Sequence, residues 1–104
     1  MQGVLLNFYT EQNRKHHGRP LAEWLLDEAR RLGVAGATLL HAAEGFGRAG
    51  RLHAAHFFEL ADQPVEVSMA VSPEVADRFM ARLREEGISV FYVRIPVEFG
   101  STDD

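Results

Sequence analysis

Residues 65–71 constrain the fold more than any other stretch: Val65, Val67, Met69 and Val71 alternate with Glu66, Ser68 and Ala70, and Ser72-Pro73-Glu74 follow at once. A period of two places every large apolar side chain of the run on one face of a strand. A hydroxyl N-cap, a proline at the first helical position and an acid at the positive end of the dipole then impose a helix. Val75, Phe79, Met80 and Leu83 supply its apolar stripe and Gly87 its stop. Strand and helix adjoin in one chain, so their apolar faces must share a core.

The same change of period occurs earlier. Val4 to Thr10 is apolar and β-compatible throughout and reads as a central strand, followed by a polar loop from Glu11 to Arg19. Pro20 suits a first helical position, Leu21, Trp24, Leu25, Ala29 and Leu32 recur at helical spacing, and Gly33 ends the helix. Gly36 to Ala43 is too short for a typical helix and reads as a second strand, while Ile88 to Val97 closes the domain as the last one. Pro96 puts the end of that last strand at a sheet edge, and Leu52 to Leu60 has room for a short extra strand. The order strand, helix, strand, strand, helix, strand predicts an α+β, ferredoxin-like βαββαβ sandwich: an antiparallel sheet with two helices on one face. In that arrangement the helix starts are expected at the end of the sheet away from the long connection between the second and third strands. At 104 residues, 46% of them hydrophobic, the chain is expected to form one domain over 1–104, with a flexible acidic tail from about residue 98.

Two faces of this sheet are apolar, and only one has helices to cover it. Leu5 and Tyr9 oppose Val4, Leu6 and Phe8 in parity on the first strand, as Val90 and Tyr92 oppose Phe91, Val93 and Ile95 on the last. The uncovered face is expected to meet other copies of the chain.

Composition removes whole classes of function. The chain has no cysteine, hence no disulfide, thiolate metal site or thiol nucleophile. A net charge of −4 makes nucleic acid a poor partner. No run approaches the roughly 20 apolar residues of a membrane span, and Met1-Gln2-Gly3-Val4 has no secretory character, so no membrane insertion and a cytoplasmic location are expected. No nucleophile elbow or Walker loop is present, and Glu85-Glu86 reads as a solvated helix end, so no catalytic residue, enzymatic activity or resident cofactor is expected. Trp24, Phe79 and Met80 read as core.

The segment between the second and third strands carries the clearest functional signal, because it far exceeds the roughly 2–5 residues of a hairpin loop. At its base stands Glu44-Gly45-Phe46-Gly47, followed by Arg48, Arg51 and His53. Glycines permit close backbone approach and the cations suit an anionic ligand, although a simple bend with a solvated tip has the same composition. His16-His17-Gly18-Arg19 is either a polar cap or an anion site at the first helix N-terminus. His53 and His56, with His41 near in sequence, raise a divalent metal as an alternative, although residues three apart on an extended stretch face opposite ways.

Over nearly its whole length the chain resembles the PII-like small signalling proteins of the family called domain of unknown function 190. The resemblance runs through His16-His17-Gly18-Arg19-Pro20-Leu21, through Gly36-Ala37-Thr38 leading to Glu44-Gly45-Phe46-Gly47, and through Gln63-Pro64-Val65 with the alternating strand after it. It implies a ferredoxin-like homotrimer related to the PII signal-transduction proteins, with the long segment as a T-loop. Adenine nucleotides such as AMP or ADP would bind between subunits, near the T-loop base, the turn after the second helix and the final strand. On matching positions this singles out Gly45, Phe46, Gly47, Gly87 and Arg94, and it implies that residues 46–56 signal to an unidentified partner protein. The chain lacks the lysine-rich phosphate contacts and the tyrosine-bearing loop tip of the PII proteins proper. The CutA cation-tolerance proteins, trimers of similar architecture, keep divalent metal binding through histidines as the alternative.

Overall fold

Strand β1 (Gln2–Glu11) runs through the middle of the molecule, bonded on one side to β7 (Pro64–Val71) and on the other to β8 (Phe91–Glu98), both antiparallel. The structure, a computed structural model, describes residues 1–46, 52–54 and 63–103. Strand β4 (Thr38–His41) completes a four-stranded sheet of order β4-β7-β1-β8. Helix α1 (Leu21–Arg31) connects β1 to β4, and helix α2 (Pro73–Glu85) connects β7 to β8. This is the expected α+β ferredoxin-like arrangement, with β8 and its Pro96 on an edge.

The core lies between the sheet and both helices. Leu6 and Phe8 of β1 and Val67 and Met69 of β7 point to the same side and are buried with Leu21, Leu25 and Ala29 of α1 and Ala76, Phe79 and Leu83 of α2. The Phe8 and Phe79 rings stack at 5.2 Å between centroids, fixing α2 over β1. Trp24 and Met80, expected in the core, pack against its margin. Ser72 caps α2 as its sequence suggests, its hydroxyl accepting from the Val75 N–H at 3.2 Å.

On the other side of the sheet the register aligns Tyr9 with Phe91, Leu5 with Ile95 and Leu40 with Glu66. Tyr9, Leu40, Phe91 and Ile95 are all exposed there, and the Tyr9 and Phe91 rings meet at 5.8 Å. Asn7 is buried in the middle of this face with its Oδ1 unpartnered.

Several boundaries differ from the sequence reading, each because a local bond wins over composition. The second strand spans Thr38–His41 rather than Gly36 to Ala43, since only these residues pair with β7. Pro20 precedes α1 instead of starting it, because it closes a small hairpin of β2 (Lys15–His16) with β3 (Arg19–Pro20) inside the expected loop. His17 and Gly18 form that hairpin's turn, both with positive φ (52° and 78°), as a two-residue turn of type I′ requires. Of the stretch Leu52 to Leu60, β6 (Leu52–Ala54) is a strand, paired with β5 (Glu44–Phe46), and 55–60 lie outside the described residues.

At the other end of the chain Glu98 pairs with Gln2, and Phe99 exchanges two backbone bonds of 2.9 Å with Met1. Gly3 is needed there: a Cβ would collide with the Val71 carbonyl and the Phe99 ring. Phe79→Ala, which empties the centre of the core, is expected to cost about 3–5 kcal/mol in urea unfolding.

Candidate functional site

The antiparallel pairing of β5 with β6 sets Gly45 opposite His53 and Phe46 opposite Leu52. Backbone is described for Glu44, Gly45, Phe46 and His53, whereas Gly47, Arg48, Arg51 and His56 lie outside the described residues. The hairpin rises where β4 stops and β7 begins, a place marked by the Ala42 N–H donating to the Pro64 carbonyl at 2.9 Å.

Gly87 follows the end of α2 with φ of 68°, a conformation that strains any residue with a Cβ. The turn is closed by the Gly87 and Ile88 N–H groups donating to the Arg84 and Leu83 carbonyls at 3.1 and 2.9 Å. Arg94 stands opposite Leu6 on β8, on the helix side of the sheet, where its Nη1 donates to Asp77 Oδ1 of α2 at 2.9 Å. The Asp77 carboxylate is open to water, so the pair can be exchanged for another anion at little cost.

These residues do not form one site in one chain. The order β4-β7-β1-β8 puts the hairpin by one edge and Arg94 on the other, with β7 and β1 between. Three strand spacings make that separation roughly 14 Å.

The structure brings together a different group. His16 Nε2 lies 2.8 Å from Glu86 Oε1, and His17 Nε2 lies 3.3 Å from the same oxygen. Trp24 meets the His16 ring edge-on at 5.5 Å, and Arg82 approaches the second carboxylate oxygen of Glu86 at 3.6 Å. The hydrogen bond from His16, joined by that from His17 and the charge of Arg82, holds the Glu86 carboxyl below its ordinary value against the effect of burial. Glu86 is therefore no solvated helix end, because the β2–β3 hairpin folds over it.

Nor do the histidines guard an anion site on α1. The first helical N–H, of Leu21, donates to the Arg14 carbonyl at 2.8 Å, and the anion the histidines face is Glu86. The expectation about the ends of the sheet also changes. The start of α1 lies at the same end as the 42–63 connection: Glu11 pairs with Pro64, the Gln12 N–H donates to the Gln63 carbonyl at 2.9 Å, and Arg14 bonds the Ser89 carbonyl beyond α2. Antiparallel order dictates this, since β1 and β4 run the same way and both end there. Of the histidines that raise a metal as the alternative, His41 is exposed on β4, paired with Val65.

One buried charge ties the two helices together. Glu28 of α1 is 5% exposed and accepts from Arg31 through two bonds and from Arg82 Nε of α2 at 3.1 Å. Burial alone would raise the Glu28 carboxyl, but the bonds from Arg31 and Arg82 outweigh it and hold it below its usual value. Arg82 is raised in turn by its bonds to Glu28 and Glu85.

The sequence and this architecture match known proteins. A family model, DUF190 (Uncharacterized ACR, COG1993), covers residues 3–97. The chain belongs to this family. A UPF0166 protein of Aquifex aeolicus (strain VF5) is 28% identical over 81 residues, 77% of each chain. Among solved structures, a Thermus thermophilus protein described as PII-like signalling superposes with a TM-score of 0.69 at 26% identity, over 93% of this chain and 88% of that one. CPII of Thiomonas intermedia K12, a nitrogen regulatory PII-like protein solved with ADP, AMP and bicarbonate, gives a TM-score of 0.68 at 19% identity, over 97% and 96% of the two chains. CutA1 of Oryza sativa shares the fold at a TM-score of 0.62 and 10% identity, over 99% and 86%. The DUF190 chain is thus PII-like in fold. No helix among its described residues is long and apolar enough to cross a membrane.

A lowered carboxyl contributes stability that is complete above its unfolded value near 4.5 and is lost as the pH falls through the folded value. Glu28→Gln is therefore expected to cost about 1–3 kcal/mol at pH 7 and to flatten the loss of stability below pH 4.5, read from urea unfolding across pH.

Proposed function

We propose that this DUF190 chain is a regulatory protein of the PII-like kind, which binds an adenine nucleotide, AMP or ADP, in clefts between the subunits of a cytoplasmic homotrimer. The observation that carries the reading is the strand order, in which the β5–β6 hairpin adjoins one sheet edge and Arg94 stands on the other. A second copy meeting the first through the exposed face of Tyr9, Leu40, Phe91 and Ile95 would bring one chain's Gly45, Phe46 and His53 toward the other's Gly87 and Arg94. The ADP and AMP held by CPII, a protein of the same fold, support the choice of ligand.

Glu44 at the hairpin base belongs to the proposed site, as do Gly47, Arg48 and Arg51, which lie outside the described residues. Arg94 would exchange Asp77 for a phosphate oxygen, since both present the same charge to its guanidinium. Residues 46–56 would then be held differently in the two ligand states, and a partner protein would read the difference; the ligand acts only through unequal contact with those states. The role is regulatory rather than catalytic, and a mass-spectrometric screen showing nucleotide turnover would count against it.

Calorimetry with AMP, ADP and ATP is expected to give binding of at least one. Arg94→Ala should weaken it about tenfold or more, as loss of a charged hydrogen bond does. Silence with all three nucleotides, together with unchanged hydrogen exchange over 46–56, would remove the proposal. Sedimentation at low micromolar concentration should show an assembly, which Phe91→Asp breaks into smaller species; a lone wild-type chain would leave no shared cleft.

A further inference from the structure

At the end of α2, three metal-ligating side chains from two separate segments converge, none of them among the residues proposed to bind the nucleotide. One ring nitrogen of His16, one of His17 and a Glu86 oxygen all lie within 4.8 Å of one another. We propose that His16, His17 and Glu86 bind one divalent transition-metal ion of the zinc type per chain.

The donor set is the first argument. Two imidazoles and a carboxylate suit zinc and its borderline-soft neighbours, and leave a position for water or an outside ligand. Donors arranged tetrahedrally about 2.0–2.2 Å from zinc stand about 3.3–3.5 Å apart. The two histidine nitrogens already stand 2.8 and 3.3 Å from Glu86 Oε1, so small side-chain rotations open the gap.

Support around the donors is the second argument. His16 is held by the edge of Trp24, and Glu86 is braced through its other oxygen by Arg82, so two of the three ligands are oriented in advance. His17 is 75% exposed at the hairpin turn, which leaves an entry path for the ion. Arg82 does not forbid a cation, because Glu28, Glu85 and Glu86 surround it and, with Arg31 beside Glu28, carboxylates still outnumber guanidinium groups.

The chemistry balances as proton exchange. With Glu86 ionised, each facing imidazole nitrogen donates to it; to ligate the ion that nitrogen presents its lone pair instead, its hydrogen moving to Nδ1 of the same ring by tautomerisation, or to solvent from a ring that was protonated. Binding would clamp the β2–β3 hairpin onto the end of α2, one residue before Gly87. The inference stands apart from the nucleotide reading, and either can fail alone.

Calorimetry of the untagged full chain with zinc chloride in a non-coordinating buffer tests it. One ion per chain is expected, with His17→Ala and Glu86→Gln each weakening binding at least about tenfold. His41→Ala and His53→Ala should leave the zinc affinity unchanged, whatever His53→Ala does to nucleotide binding, and cobalt(II) should give visible absorption that Glu86→Gln abolishes. His17 is exposed, so its variant keeps the test valid should Glu86→Gln unfold, which thermal melting reports. No zinc binding, binding that survives both substitutions, or binding lost with His53→Ala would overturn the proposal.

Discussion

Right-handed crossover is the constraint on which the rest of this molecule depends. Each strand–helix–strand unit returns its helix to the same side of a twisted sheet, so α1 and α2 both lie over β1 and β7. One side of the sheet then has Leu6, Phe8, Val67 and Met69 sealed against Leu25 and Phe79, and the other has Tyr9, Leu40, Phe91 and Ile95 open to solvent. The strand order β4-β7-β1-β8 in turn holds the hairpin and Arg94 at separate edges.

Electrostatics organise the helix layer in a complementary way. Glu28 is buried between the helices, a position tolerable only because Arg31 and Arg82 both bond it. Arg82 also reaches Glu85 and Glu86, so the network that joins the helices orients the carboxylate facing His16 and His17. A packing device and a candidate ligand site share one guanidinium, and the indole of Trp24 lies 6.0 Å from it while also bracing His16.

Much of the architecture was legible because its signals are local. Alternation over 65–71, the Ser72-Pro73 start and the apolar spacing of 21–32 each act within a few residues, where side-chain period is dictated by backbone geometry. Pro96 announced its edge for the same reason, having no N–H to give a neighbour. The candidate site was less legible. Nearness in sequence raises His41, His53 and His56 only as an alternative metal group, whereas His16 and His17 meet a carboxylate 70 residues from His16. A pair of adjacent histidines before a glycine was the available signal, but nothing in the chain marks Glu86 as its partner.

The residues alone determined the α+β class, the number and order of the main elements, and the presence of two apolar faces, since each follows from periodicity and from the exclusion of apolar groups from water. Only the tertiary structure decided which end of the sheet holds the start of α1, that Arg94 bonds Asp77, and that Glu86 turns from solvent toward two imidazoles. Those outcomes depend on strand direction and on contacts between distant segments, which the order of residues along a chain does not encode locally.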